Sequence, residues 1–123
     1  MDILIIIISI SIVLSKYLDC WTTVKGIKFI GQEQNPLARR TMAAYGIKTT
    51  VWGIFGLTIA IVICCLLIIY VLLDSNLHRW SFVVFGAIVS IAQFAVAHTN
   101  YTGRYNRITW VLSNFYKMHS HNR

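Results

Sequence analysis

Three long apolar stretches alternate with shorter polar ones along this chain of 123 residues. A helix needs about 20 mostly apolar residues to cross the hydrocarbon core of a bilayer. The apolar stretches reach that length and predict transmembrane helices at about residues 3–21, 50–73 and 80–99. Shorter helices are expected in the polar stretches between and after them.

The polar stretch after the first apolar segment contains a helix start. A residue before proline avoids the helical region, proline suits the first helical position, and Asn is a favoured N-cap. Asn35 and Pro36 therefore predict a short helix over about residues 36–45. We expect it to lie at the membrane interface or to re-enter the membrane, with Arg39 and Arg40 facing lipid headgroups.

The tail of the chain also has helical periodicity. Apolar residues recur there at i, i+3, i+4 and i+7, at positions Ile108, Val111, Leu112 and Phe115. This spacing predicts an amphipathic helix over about residues 104–118 that lies in the membrane interface. A direct extension of the third transmembrane helix beyond Arg104 fits the same periodicity.

Composition agrees with membrane segments. Hydrophobic residues make up 57% of the chain and charged residues 12%, whereas soluble domains carry about 25% charged residues. We therefore predict an all-α integral membrane protein with three transmembrane helices, a short interfacial or re-entrant helix and an amphipathic C-terminal helix, all in a single membrane domain.

The distribution of basic residues predicts the orientation, because short cytoplasmic loops accumulate Lys and Arg. Most of them fall in the first connection and the tail: Lys25, Lys28, Arg39, Arg40, Lys48, Arg104, Arg107, Lys117 and Arg123. The N-terminus is thus predicted outside the inner (plasma) membrane and the C-terminus in the cytoplasm. Anionic lipid headgroups account for the net charge of +7, so nucleic-acid binding is not expected.

Each transmembrane segment carries a stripe of polar or small residues on one helical face. The first stripe is Ser11, Ser15, Asp19 and Thr22. The second is Gly53, Gly56, Ala60 and Cys64. The third is Gln93, Ala97, Asn100 and Arg104. Small and polar residues mark helix contacts in membranes, so we expect the three stripes to face one another.

Polar residues are predicted to converge at the cytoplasmic end of the bundle. The expected cluster contains Asp19, Thr22, Thr23, Glu33, Asn35, Lys48 and Asn100, with His98 beside it. An ionisable side chain in hydrocarbon is costly unless it is paired or faces a wet cavity. We therefore predict a partly buried ion pair between Asp19 and Lys48.

The segment "LDCWTTVKGIKFIGQEQNPLARRTMAAYGIKTTVW" resembles a prokaryotic family of small polytopic membrane proteins described only as a domain of unknown function. The resemblance covers about the first half of the chain. It implies that the characteristic polar positions are Asp19, Thr22 or Thr23, Glu33, Asn35, Pro36 and Lys48. It implies a shared polar cluster but no particular activity.

Three classes of function fit these features. In the first, the cluster specifies packing, and the protein is a subunit or accessory protein of a membrane complex, with a membrane-protein partner or a second copy of itself. We favour it over the second, a membrane enzyme acting on a lipid headgroup, in which Asp19, Glu33 and His98 serve as acid and base or hold a divalent metal. The third is an oligomeric channel or transporter with Gly53 and Gly56 at the protomer contact.

Overall fold

The computed structural model describes residues 1–27, 35–104 and 106–121, which are helical apart from short connections. The helices are α1 (Asp2–Gly26), α2 (Pro36–Tyr45), α3 (Ile47–Leu67, continued by a π-helical turn at Ile68–Leu72), α4 (Asn76–Thr102) and α5 (Arg107–His121). Three of them, α1, α4 and α3 with its π-helical turn, are long and apolar enough to cross a membrane. This confirms the all-helical class and the three apolar helices.

α1 and α4 are longer than the segments predicted from hydropathy. α1 ends at Gly26 and α4 at Thr102. The predicted segments stop earlier because the final turns of both helices consist largely of polar residues, which a hydropathy window does not include. These polar turns extend both helices at the same end of the bundle.

α1 packs most extensively against α4, along a line of residues that we call the α1–α4 seam. Its positions on α1 are Ile5, Ile8, Ile12, Ser15, Asp19 and Thr22, and on α4 Val83, Gly86, Ser90, Gln93, Ala97 and Asn100. The alternating spacing of three and four residues is that of a coiled coil. The hydrogen-bonded pairs Ser15–Gln93 and Thr22–Asn100 are each separated by 78 residues in the sequence, so the two helices run parallel.

Gly86 allows a close approach in the apolar half of the seam. A Cβ atom at this position would collide with Ile8 Cγ2 and lie 3.0 Å from Ile12 Cδ1. Small residues permit close contact of this kind between membrane helices. Any larger side chain at position 86 would force Ile8 and Ile12 to shift or α1 and α4 to move apart.

The small-residue stripe of α3 does not face the other helices, and the prediction that it packs inward is wrong. Nothing lies within 4 Å of a Cβ atom built at Gly53 or Gly56, and Ala60 and Cys64 are exposed. α3 turns another face inward and buries Val51 among other apolar side chains. Lipid tails are as apolar as Leu, so composition alone does not mark the inward face of a membrane helix.

α2 lies between the end of α1 and the start of α3. Asn35 Oδ1 accepts a hydrogen bond from the Leu37 backbone N–H at 3.1 Å and caps the helix, with Pro36 at its first position. Met42 is buried against Cys20 and Val51. The helix therefore begins as the Asn-Pro pair predicts, and Met42 fixes it to α1 and α3.

α5 is a separate helix and not an extension of α4. Gly103, with φ +70°, ends α4 in the left-handed conformation that glycine adopts readily. After this turn α5 packs back against α4, where Thr109 Oγ1 donates to the Ala95 carbonyl at 3.2 Å. The first turns of α5 therefore lie beside the last turns of α4.

The opposite end of the bundle is joined by a small charged group. Arg79 at the start of α4 contacts Asp74 at 2.7 Å and Asp2 at 3.8 Å. Tyr70 in the π-helical turn donates a hydrogen bond to Asp2 at 3.0 Å. Asp2 and Asp74 offset the charge of Arg79. Together with Tyr70, this group connects α1, the π-helical turn after α3 and α4 at the end away from α2 and α5.

Candidate functional site

The polar half of the α1–α4 seam is joined by side-chain hydrogen bonds. The Ser15 hydroxyl donates to Gln93 Oε1 at 2.8 Å, with Ser15 fully buried. At the next level Asn100 Nδ2 donates to Thr23 Oγ1 at 3.1 Å and to Thr22 Oγ1 at 3.5 Å. The structure thus brings Thr22, Thr23 and Asn100 together, as expected from the stripes of the first and third segments.

Asp19 forms its ion pair with a different lysine from the predicted one. Lys16 Nζ lies 3.0 Å from Asp19 Oδ2, and the two side chains are only 17% and 16% exposed. Lys48 is exposed on α3. The i, i+3 spacing on one helix keeps Lys16 within reach without any packing between helices, so the predicted pairing of Asp19 with Lys48 is replaced by a local one.

α5 adds a second polar layer to this end of the bundle. Asn106 caps it, with Oδ1 accepting from the Thr109 backbone N–H at 2.9 Å. The Asn106 amide donates to the Ala95 carbonyl at 2.8 Å, and the Thr99 hydroxyl donates to Thr109 Oγ1 at 2.8 Å. These bonds place the polar residues of α5 against α4 and leave its apolar face exposed.

A cavity of about 420 Å³ lies between these layers, and we call it the polar cavity. Every helix contributes to its wall. The polar lining residues are Lys16, Asp19, Cys20, Thr23, Asn35, Thr99, Asn100, Thr109, Ser113 and Tyr116. The apolar lining residues are Ile27, Ala38, Met42, Val51, Ile54, Val96 and Leu112. Its volume lies in the range of roughly 300–1,000 Å³ that is typical of small-molecule sites.

Several polar groups of the cavity wall have unused hydrogen-bonding capacity. Ser113 is only 5% exposed, and neither its hydroxyl nor that of Tyr116 bonds to another group in the part of the chain that the structure describes. Buried hydroxyls are normally paired with protein atoms or ordered water. Ser113 is a buried residue in the cavity wall whose hydroxyl is available to hydrogen-bond to a polar molecule in the cavity.

Other predicted site residues lie away from the cavity or outside the described part. His98 and Lys48 are exposed and are absent from the cavity wall, while Asn35 belongs to it. Glu33 lies outside the described residues. Within the described ranges, no group of three His, Cys, Asp or Glu side chains could hold a metal ion. Asp19 belongs to the cavity wall and His98 does not, and the predicted acid-base or metal role of Asp19, Glu33 and His98 stays a prediction.

The residues that sequence reasoning missed are mainly those of α5. Thr109, Ser113 and Tyr116 line the cavity. The apolar periodicity of the tail predicted the helix but did not indicate a role for its polar face. Asn106 is a favoured N-cap residue and Gly103 a favoured helix terminator. Read together, Gly103 and Asn106 could have predicted a chain reversal and a new helix.

No family model, curated protein or solved structure matches this chain. The resemblance of the first half to an uncharacterised membrane family therefore stays a prediction. The interpretation of the polar cavity rests on its own geometry.

Proposed function

We propose that this protein spans the membrane three times and works as a small accessory subunit that holds an amphiphile by its polar group in the polar cavity. An amphiphile here is a molecule with a polar group and a hydrocarbon tail. The observation that carries the proposal is the mixed lining of the cavity. Its partly buried Lys16–Asp19 pair and unpaired Ser113 hydroxyl adjoin an aliphatic wall.

The exposed surface supports a position in the bilayer. The outward side chains of the three long helices are largely Ile, Leu, Val and Phe, which is the composition that contact with lipid favours. α5 likewise exposes an apolar face formed by Ile108, Val111, Phe115 and Met118. Because its polar face lines the cavity, α5 fits a location beside the hydrocarbon better than one in water.

The distribution of charge supports the orientation with the cavity toward the cytoplasm. At one end Arg79 is offset by Asp2 and Asp74. The basic residues of α2 and α5 lie at the other end, with the cavity. The positive-inside rule then favours a cytoplasmic cavity and an external N-terminus.

The depth of the cavity suits a headgroup. At about 1.5 Å per residue, Asp19 lies roughly 25 Å along α1. A hydrocarbon core about 30 Å thick that begins near the start of α1 would therefore end close to Asp19. A lipid could place its polar group among Lys16, Asp19 and Ser113 while its tails remain in the membrane.

Binding accounts for these residues better than catalysis does. Asp19 is the one carboxylate among the described residues of the cavity wall, and Lys16 already holds it at 3.0 Å. General acid-base chemistry needs a group that can exchange a proton with the substrate. An ion pair with spare hydrogen-bonding sites suits recognition of a polar group instead.

Native mass spectrometry of protein extracted from membranes in mild detergent tests the proposal. Wild-type protein is expected to carry an adduct of lipid mass. Ser113→Leu fills the cavity and should abolish the adduct, while Ser113→Ala, which preserves the space but removes the hydroxyl, should only weaken it. Val111→Leu on the exposed face of α5 is the matched control. Wild-type protein without an adduct, or an adduct equally retained in Ser113→Leu, would refute the proposal.

A further inference from the structure

The charges in the polar cavity sum to zero within the described lining. Lys16 and Asp19 are its charged side chains, and their exposed fractions are almost equal. A net charge moved from water into such a site loses hydration without meeting an uncompensated partner. Among the described lining residues, a purely anionic or purely cationic ligand therefore meets no uncompensated charge.

Both members of the ion pair keep bonding capacity for a further partner. A lysine ammonium has three N–H donors and a carboxylate about four acceptor positions. The mutual contact of Lys16 and Asp19 uses one of each. A ligand can therefore bring an anionic oxygen to Lys16 and a cationic N–H group to Asp19 without breaking the pair.

We infer that the polar cavity recognises a zwitterion that combines a phosphate with a primary ammonium, as in a phosphoethanolamine headgroup. This inference rests on the proposed function and specifies its ligand. The phosphate binds on the Lys16 side and the ammonium on the Asp19 side.

The unpaired hydroxyls extend the same chemistry. Ser113 and Tyr116 are neutral donors in the cavity wall, and phosphate oxygens are strong acceptors. Their hydroxyls can bond to the phosphate without adding net charge to the site. The aliphatic lining, which includes Ile54 and Val96, is left for the carbon atoms next to the headgroup.

The test compares lipids with matched acyl chains by native mass spectrometry of delipidated protein. The probes are phosphatidylethanolamine, phosphatidylglycerol and diacylglycerol with identical acyl chains. Phosphatidylethanolamine is expected to bind about tenfold more tightly than either of the others, which corresponds to about 1.4 kcal/mol.

Competition by soluble glycerophosphoethanolamine shows whether the phosphoethanolamine group must belong to a lipid. If it competes, the headgroup alone suffices, and if it does not, the ligand is the intact lipid; both results agree with the inference.

Charge variants give the sharper readout. Asp19→Asn leaves Lys16 without a countercharge, so the preference should reverse toward anionic phosphatidylglycerol. Lys16→Arg keeps both charges and should keep the wild-type preference. Lys48→Gln is the matched control, because it removes one positive charge from an exposed position outside the cavity, and it should change nothing.

The outcomes separate the inference from the proposed function. Equal binding of phosphatidylethanolamine and phosphatidylglycerol by the wild type overturns the inference and leaves an amphiphile-binding cavity standing. A preference that Asp19→Asn does not change also overturns it. Absence of binding by every probe, with no adduct on protein from membranes, removes both. The wild-type comparison decides the inference even if Asp19→Asn fails to fold.

Discussion

The two halves of the α1–α4 seam share one spacing but differ in what fills it. In the apolar half, Ile8 and Ile12 close tightly over Gly86. In the polar half, Ser15 hydrogen-bonds to Gln93, and the seam then borders the polar cavity at Asp19 and Asn100. One repeat thus supports close packing at one end and a recess at the other.

The difference teaches how a small protein with three long apolar helices, in the membrane setting that we propose, can carry a site without a large core. Between lipid and protein there is little hydrophobic gain, so tight van der Waals packing and hydrogen bonds hold helices together. The apolar half supplies the packing and fixes the register of α1 and α4. The polar half can then carry side chains whose hydrogen-bonding groups are available to the proposed ligand.

The largest effect is expected from filling the apolar half. Gly86→Val forces a β-branched side chain into Ile8 and Ile12 and should lower the free energy of unfolding by about 3 kcal/mol, the upper end of overpacking costs. Equilibrium unfolding in mixed micelles measures it. Gly56→Val is the matched control, since nothing lies within 4 Å of that position, and should change stability by less than about 0.5 kcal/mol.

Equal destabilisation by Gly86→Val and Gly56→Val would contradict the packing of the seam. It would show that α3 uses its small-residue face in the folded protein as much as α4 uses Gly86. The two variants make the same chemical change, so any difference between them reports the surroundings of each glycine.

An intermediate effect is expected from the hydrogen bond at the junction of the two halves. Ser15→Ala leaves Gln93 Oε1 without its hydrogen-bond donor. This should lower the free energy of unfolding by about 1 kcal/mol. The double variant Ser15→Ala/Gln93→Leu should recover part of this loss, because neither group is then left unpaired. Losses that simply add in the double variant would show that the two side chains are not coupled.

The smallest effect on stability is expected at the open end of the polar half. Asn100 is exposed, and its bonds to Thr22 and Thr23 are 3.5 and 3.1 Å long, so Asn100→Leu should cost less than about 0.5 kcal/mol. Its consequence should instead be weaker amphiphile binding, read from the intensity of the lipid adduct. His98→Leu, at an exposed position outside the cavity, should alter neither quantity, and equal loss of the adduct in both variants would count against the cavity.

Much of the architecture is predictable from the sequence because it depends on local rules. Apolar length predicts the three long helices, and the Asn35-Pro36 pair predicts the start of α2. The stripes of the first and third segments predict which faces of α1 and α4 meet, since polar residues avoid lipid.

The remaining features depend on choices that local patterns do not determine. Gly53 and Gly56 have the residue types of a helix contact, but an apolar helix can turn any face toward lipid. Asp19 pairs with Lys16 and not with Lys48, because the i, i+3 spacing of α1 permits the local pair and the packing of α3 leaves Lys48 exposed. The cavity depends on the reversal at Gly103, which brings α5 back beside α4.

The central claim is that the polar cavity holds the polar group of an amphiphile, and photolabelling tests it most directly. A phospholipid with a photoreactive group on its headgroup would be incorporated into membranes containing the protein, and the labelled residues mapped by tandem mass spectrometry. Labels are expected on α1 at residues 16–23 and on α5 at residues 109–116, with Ser113→Leu reducing both. Labels confined to exposed basic positions such as Arg40 and Lys48 would contradict the claim.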